Sequence, residues 1–353
     1  MNPYQILPEQ AFWSPAVARK HMLDIAGLWK APFRIDRQTQ VATYGSCFAQ
    51  HFSRSLVERG YSWLNAETGM PGMPAELQRE FSYGVFSART GNIYTASLFR
   101  QWVGWALEGI SPPPLHWEKD GRIHDPFRPT VEPGGFGSVA EMEQSRAHSI
   151  GAFRQSLVDC DLLVFTLGLT ESWWDAQAGV EYPMCPGTHA GEFDPARHVF
   201  RNQDYGFVRD NIVDAITTIR KHRREGPKVL LTVSPVPLTA TNSGKHVLVA
   251  TMESKSVLRA VVGSVAASMA DVSYFPSYEL INSPVFRGAF FEPNLRSVSR
   301  QGVAHVMNCF FAGLDEDATT AARQPAVANP NEAPASDDVM CDEELLSAFG
   351  ENT

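Results

Sequence analysis

Cysteine is scarce in this chain, with five in 353 residues, at positions 47, 160, 185, 309 and 341. They form no Cys-x-x-Cys pair or other metal-ligating spacing, which excludes a disulfide framework and a structural zinc site and predicts reduced thiols in a reducing compartment. Positive charge is also short. There are 30 Lys and Arg against 39 Asp and Glu, a net charge of −9, which argues against a general electrostatic affinity for nucleic acid or an anionic membrane. No apolar run reaches the length that spans a bilayer. Met1-Asn2-Pro3-Tyr4 opens no basic segment followed by a hydrophobic one, so the predicted location is the cytoplasm. Internal repeats are absent. Apolar residues are plentiful, at 44% hydrophobic and 11% aromatic, enough to build the core of one large or two small domains.

The order of elements predicts an α/β fold. Residues 1–40 carry Pro3, Pro8, Pro15 and Pro32 and read as an extended arm with a short helix over 17–25. The main domain, 41–314, opens with a strand over 40–44 and a helix over 48–59 ended by Gly60. Long loops are expected over 65–95 and 170–203, with turns and short strands over 111–137. Helices are expected over 96–107, 139–160, 205–224, 247–269 and 301–313. Strands are expected over 162–166, 228–233 and 272–275, the first of them a continuous apolar run suited to a buried parallel sheet. Strand and helix alternating in this way call for a parallel sheet between helices. Beyond Leu314 the chain turns acidic and rich in Ala and Pro. Residues 315–339 read as disordered linker, and Asp342 to Phe349 as a short amphipathic helix or a frayed tail.

In doubly wound sheets ligands bind at the carboxyl ends of the strands, here the loops after Tyr44, Phe165, Val233 and Phe275. The first holds Gly45-Ser46, a strand-to-helix turn. Gly45 tolerates the backbone angles of a sharp turn, and a serine at a helix start has backbone N–H groups and the positive end of the helix dipole beside it. Ser46 is therefore either an N-cap or a nucleophile with oxyanion donors at hand. Cys47, next to Ser46, reads either as the nucleophile itself or, the preferred reading, as a buried, inert thiol under the turn.

Gly45-Ser46-Cys47-Phe48-Ala49 resembles the signature of the GSCFA family, which is similar to the SGNH/GDSL hydrolases and acyltransferases. Further blocks in family order are Gly91-Asn92-Ile93-Tyr94-Thr95, Thr166-Leu167-Gly168-Leu169-Thr170-Glu171-Ser172-Trp173, Ser234-Pro235-Val236-Pro237, Ser254-Lys255-Ser256 and Tyr274-Phe275-Pro276-Ser277-Tyr278-Glu279. The resemblance implies a three-layer α/β/α sandwich with a parallel sheet, flavodoxin-like and of SGNH-hydrolase type. It also implies Ser46 as nucleophile, with oxyanion donors from the Ser46 N–H, a glycine and an asparagine. Gly45, Asn92, Gly168 and Thr170 are the residues that answer to this set.

The chain departs from the SGNH pattern where an Asp-x-x-His block is expected before the last helix. That stretch reads Glu292-Pro293-Asn294-Leu295-Arg296-Ser297-Val298-Ser299-Arg300. A base for Ser46 must come from elsewhere. His246 precedes a helix and is the candidate base, Glu279 could orient it or act itself, and His189 is a candidate substrate contact. His51 lies awkwardly round the helix from Ser46, and His305 reads as structural. Trp173, Trp174 and Tyr182 suit either a sugar face or the core. Lys255 and Arg259, four apart, suit an anionic donor such as a coenzyme A tail or a solvated face.

These readings predict a serine hydrolase or acyl-transfer enzyme acting on a small-molecule or carbohydrate O-acyl ester, with no metal or redox cofactor implied. The alternatives are an acyl-CoA-dependent polysaccharide O-acyltransferase and a non-catalytic binding or scaffold protein whose tail, 340–353, captures a protein partner.

Overall fold

The computed structural model describes residues 2–223, 225–314 and 341–350. The chain divides into two compact units. One joins Met1–Asp36 to Phe275–Asp337; the other joins Arg37–Tyr274 to Asp338–Thr353. The end of the expected main domain, from Phe275, thus falls with the N-terminal arm, and the described tail residues 341–350 fall with the sheet.

The larger unit runs β1 (Val41–Gly45), α1 (Ala49–Glu58), α2 (Ala75–Glu80), α3 (Ala96–Leu107), the hairpin β2 (Trp117–Lys119) and β3 (Arg122–His124), then α4 (Val139–Asp159) and β4 (Leu162–Leu167). β5 (Glu171–Asp175), β6 (Val180–Tyr182) and β7 (His198–Asn202) follow, then α5 (Tyr205–Lys221), β8 (Lys228–Val233), α6 (Val247–Ser268) and β9 (Val272–Tyr274). The central sheet is parallel, in the order β1-β4-β8-β9. On the free edge of β1 a parallel bridge pairs Val41 with Trp63, through Val41 N–H to Ser62 O at 3.0 Å and Leu64 N–H to Val41 O at 2.9 Å.

Counting that bridge as a residual second strand gives the flavodoxin-like order 2-1-3-4-5, whose direction reverses at β1. Right-handed crossovers then place α1 on one face and α3 to α6 on the other, three α/β/α layers. The ends of β1 and β4 flank the reversal, where open α/β sheets bind ligands.

Every residue of β1 and β4 is buried, as the apolar run in β4 requires. Each of Leu163, Val164 and Phe165 contributes roughly 1.5–3 kcal/mol by leaving water. Aromatic contacts tie the helices to the sheet: Phe99 of α3 stacks on Phe165 at 4.2 Å, and Phe153 of α4 meets Tyr44 edge-on at 4.7 Å. Thr95, Ser138 and Asp204 cap α3, α4 and α5 by accepting a backbone N–H on the side chain.

The expected loop 170–203 instead contains a three-stranded antiparallel sheet, β6-β5-β7. Its strands are three to five residues long and separated by glycine- and proline-containing turns, so no single stretch showed a sustained period. The expected helix over 17–25 is also corrected, to a turn at Ser14–Ala18 and a 3-10 turn at Met22–Asp24.

The smaller unit contains α7 (Ser277–Asn282) and α8 (Arg300–Ala312). Trp29 stacks on Phe310 at 5.4 Å and meets Phe275 edge-on at 5.1 Å, so the arm buries its indole against that unit's own core. Residues 315–339, where the linker was expected, lie outside the described residues.

Gly45 is the position that the sheet constrains most tightly. Its φ is +131°, and a Cβ there would lie 2.2 Å from the Thr166 carbonyl oxygen. Gly45→Ala is expected to cost roughly 3–5 kcal/mol in urea unfolding. Gly60→Ala, at φ +73° with nothing within 4 Å, should cost about 1 kcal/mol; equal losses would contradict this assignment.

Candidate active site

Ser46 follows β1 without capping the next helix. α1 begins at Ala49 with Phe48 in the cap position and no side-chain cap, and the chain enters it through Ala49 N–H to Ser46 O at 2.8 Å. The N-cap role is therefore unfilled. Ser46 Oγ is buried, on a residue 1% exposed, and hydrogen-bonds to no described residue. Its backbone N–H donates to Thr166 O at 3.0 Å, which continues the β1–β4 ladder. This corrects the expectation that the Ser46 N–H is an oxyanion donor. The Gly168 N–H is committed likewise, to Tyr94 O at 2.8 Å.

Three residues converge here. A Cβ on Gly168 would lie 2.9 Å from Tyr94 Cδ1 and 3.1 Å from Ser46 Cβ, so glycine is what lets β4 end against the serine. Lys255, 2% exposed, reaches in from α6 and donates from Nζ to Gly168 O at 2.5 Å. Placing this ammonium beside Gly168 favours negative charge in the surroundings of Ser46. Lys255 and Arg259 therefore do not form an open cationic face. Lys255 points inward, and the Arg259 guanidinium lies 4.1 Å over the Tyr274 ring.

Asn92 supplies the donor that faces a ligand-like group. Gln50 Nε2 donates to Asn92 Oδ1 at 3.4 Å, which leaves Nδ2 to donate to Asp342 Oδ2 at 2.7 Å. Thr130 Oγ1 donates to Asp342 Oδ1, also at 2.7 Å. Asp342 opens a 3-10 turn, Asp342–Leu346, that leads into α9 (Ser347–Gly350). Burial pushes its carboxyl up from the usual carboxylate range, opposed by Asn92, through side chain and backbone, and by Thr130. Burial also pushes the Tyr94 phenol well up, reinforced by Cys341, Asp342, Cys47 and Glu343.

A buried charge network holds the two loops that supply these donors. Asp125 accepts from Arg128 Nε and Arg146, each at 2.9 Å. Arg128 donates to Ser149 Oγ at 2.5 Å and to Arg89 O at 3.3 Å, and Ser149 Oγ donates to Glu67 at 2.8 Å. Arg89 closes the circuit through its N–H to Glu67 Oε2 at 2.8 Å and its guanidinium to Val131 O at 2.9 Å. Burial alone would raise the Asp125 carboxyl, but Arg128 and Arg146 outweigh it and hold it below the usual range.

The remaining sequence candidates are spread more widely. The Thr170 N–H donates to Ser254 Oγ at 3.0 Å and its hydroxyl to Asn202 Oδ1 at 2.6 Å. His246 is exposed and caps α6, with Nδ1 accepting Leu248 N–H at 3.2 Å. The next residue, Val247, packs with Ala250 against the cluster containing Tyr94 and Leu169. His189 meets His124 edge-on at 5.2 Å, and burial, then Lys119 and His124, push its pKa down to about 4. Glu279 and His305 belong to the smaller unit, where His305 stacks on Phe290 at 4.5 Å. His51 packs its ring on Phe48 at 5.4 Å. Trp173 packs against Phe193 and Phe200, and Trp174 lies under the Arg201 guanidinium.

Tyr182 has a different position. With Trp117, His116, Glu118, Arg197 and His198 it lines a cleft of about 420 Å³. It also borders a small cavity shared with Tyr94, Leu169 and Glu181.

Sequence reasoning did not single out Glu181, Thr130, Gln50 or Asp342. Glu181 is a fully buried carboxyl that accepts from the Thr95 and Ser97 hydroxyls, and burial lifts it to about 7 against those two donors. Between about pH 4.5 and 7 the unfolded chain releases this proton while the folded chain keeps it. Stability therefore falls as pH rises across that window, by up to about 3 kcal/mol. Glu181→Gln should flatten this slope in urea unfolding measured from pH 4.5 to 7.5, and an unchanged slope would contradict it.

No curated protein and no solved structure matches the chain. The model of the GSCFA family matches residues 40–310, a span that includes Ser46, Asn92, Thr130, Gly168 and Lys255 and stops short of Asp342. The chain belongs to the GSCFA family.

Proposed function

We propose that this protein is a serine-dependent acyl-transfer enzyme of SGNH ancestry that acts on O-acyl esters, in the first place those of a carbohydrate, through an acyl-Ser46 intermediate. The observation that carries this reading is Ser46 Oγ, buried and without a hydrogen-bond partner among the described residues, where β1 meets β4 at the reversal of strand order. A serine kept only for structure would satisfy its hydroxyl as a cap or in a side-chain bond.

In this reading Ser46 Oγ attacks the ester carbonyl carbon and passes its proton to His246. His246 uses Nδ1 for the helix cap, which leaves Nε2 to take the proton, and its neighbour Val247 packs beside Tyr94. The Asn92 amide receives the developing oxyanion, with the Lys255 ammonium adding favourable charge. The proton then goes to the leaving alcohol oxygen as the ester C–O bond breaks. Water or a second hydroxyl, deprotonated in the same way, attacks the acyl-enzyme and frees Ser46. The cleft at Trp117 and Tyr182, aromatic with charged and imidazole groups around it, suits a sugar's C–H face and hydroxyls.

Acyl-coenzyme A as donor is the weaker variant, because Lys255 is committed inside the fold. One observation favours a non-catalytic binding protein instead, namely that no base hydrogen-bonds Ser46 Oγ among the described residues.

Hydrolysis of p-nitrophenyl acetate separates these readings. Ser46→Ala should reduce kcat/KM to the uncatalysed background, and Asn92→Ala should lower kcat by about 10²–10³-fold. His246→Ala should lower kcat by about 10²–10⁴-fold. Full activity in Ser46→Ala, or none in the wild type, would overturn the esterase reading.

A further inference from the structure

The donors around Asp342 form a carboxylate cradle. The Asn92 side-chain amide and the Thr130 hydroxyl each donate at 2.7 Å to a different oxygen, and the Asn92 backbone favours the charged form as well. Two donors held by a buried ion network and bonded one to each oxygen form a carboxylate site, and one of them, the Asn92 amide, is the donor assigned above to the developing oxyanion. Here the group they hold is the chain's own.

In the segment Cys341–Gly350, Asp342 is the buried residue of the 3-10 turn, and no residue of α9 is buried. Leu345 and Phe349 remain exposed, while the Asp342 carboxyl is buried between two donors. A fold-stabilising strut would be expected to bury its apolar side chains. The segment also lies where it matters for access. Asp342 accepts from Asn92, and the next residue, Ile93, donates its N–H to Gly45 O at 2.9 Å, one residue before Ser46. Ser46 is only 1% exposed in this state, so an ester can reach it only after something moves.

We propose that residues Cys341–Gly350 are a tethered occupant of the acyl site, with the Asp342 carboxylate seated where a substrate's acyl oxygen binds, so that the tail must leave Asn92 and Thr130 before Ser46 can react. Its docking stands on the hydrogen bonds alone; its consequence for reactivity rests on the proposed nucleophilic role of Ser46. Being part of the same chain, the segment binds without the translational cost of a separate ligand, and a substrate competes with its carboxylate for the same two donors. The chemistry the cradle recognises is a small carboxylate or an ester carbonyl presented from an extended chain.

The test uses the full chain as wild type, Asp342→Ala, Asp342→Asn and Thr130→Val, each first shown by thermal unfolding to be folded. Hydrogen exchange of the amides of 343–349 reports docking. The rate of fluorophosphonate adduct formation at Ser46, read by intact mass and peptide mapping, reports access. Asp342→Ala should raise exchange at 343–349 and speed labelling about tenfold, with Asp342→Asn and Thr130→Val changing both less and in the same direction. Exchange in the wild type as fast as in Asp342→Ala would overturn the docking. Faster exchange with unchanged labelling would overturn the gate. Faster exchange with no labelling of any variant would remove the serine reading, and the gate with it, while the docked carboxylate stood.

Discussion

The close approach of Gly45 to Thr166 is the constraint on which the site depends. With no Cβ at position 45, β1 can run parallel to β4 to its last residue and then turn, the Ser46 N–H still bonded to Thr166 O. The same backbone bond removes that N–H from chemistry and sends the side chain toward Gly168 and Tyr94. A second glycine, at 168, keeps the end of β4 thin enough for the serine and the tyrosine to meet there. Everything else in the site is arranged around a hydroxyl that the strands have already positioned.

The second requirement is rigidity in loops that carry no regular structure. Asn92 and Thr130 lie on segments outside the sheet, and the ion network of Glu67, Arg89, Asp125, Arg128 and Arg146 fixes both. Such a network contributes little net stability compared with an apolar core of the same volume, because burying the charges costs nearly as much as pairing them returns. Its value is directional: guanidinium forks and carboxylates define angles as well as distances. The donors at Asn92 and Thr130 are thus held in fixed directions, and the Asp342 carboxyl accepts from both.

The parts of the fold that were legible in the sequence are those with a strong local signal. Leu162 to Thr166 is an unbroken apolar run and became β4; the helical pattern over 96–107 matches α3, with Thr95 as its cap. The short strands β5 to β7 carry no sustained period, and Trp63 contributes a single bridge that no pattern could announce. At the site, the Gly45-Ser46 turn and the block containing Asn92 were legible as motifs. The commitment of the Ser46 N–H to the ladder was not, because it depends on strand register. Lys255 and Arg259 shared a helix spacing, but their opposite fates depend on what packs against α6. Asp342 lies far along the chain from Asn92, and no local rule joins them.

The most direct measurement is rapid-quench trapping with p-nitrophenyl acetate, followed by peptide mapping with fragmentation that distinguishes Ser46 from Cys47. The account predicts one acetyl group on Ser46 that forms and decays during turnover and is absent from Ser46→Ala. Acetyl on Cys47, or turnover with no acetylated Ser46 at any time, would contradict it.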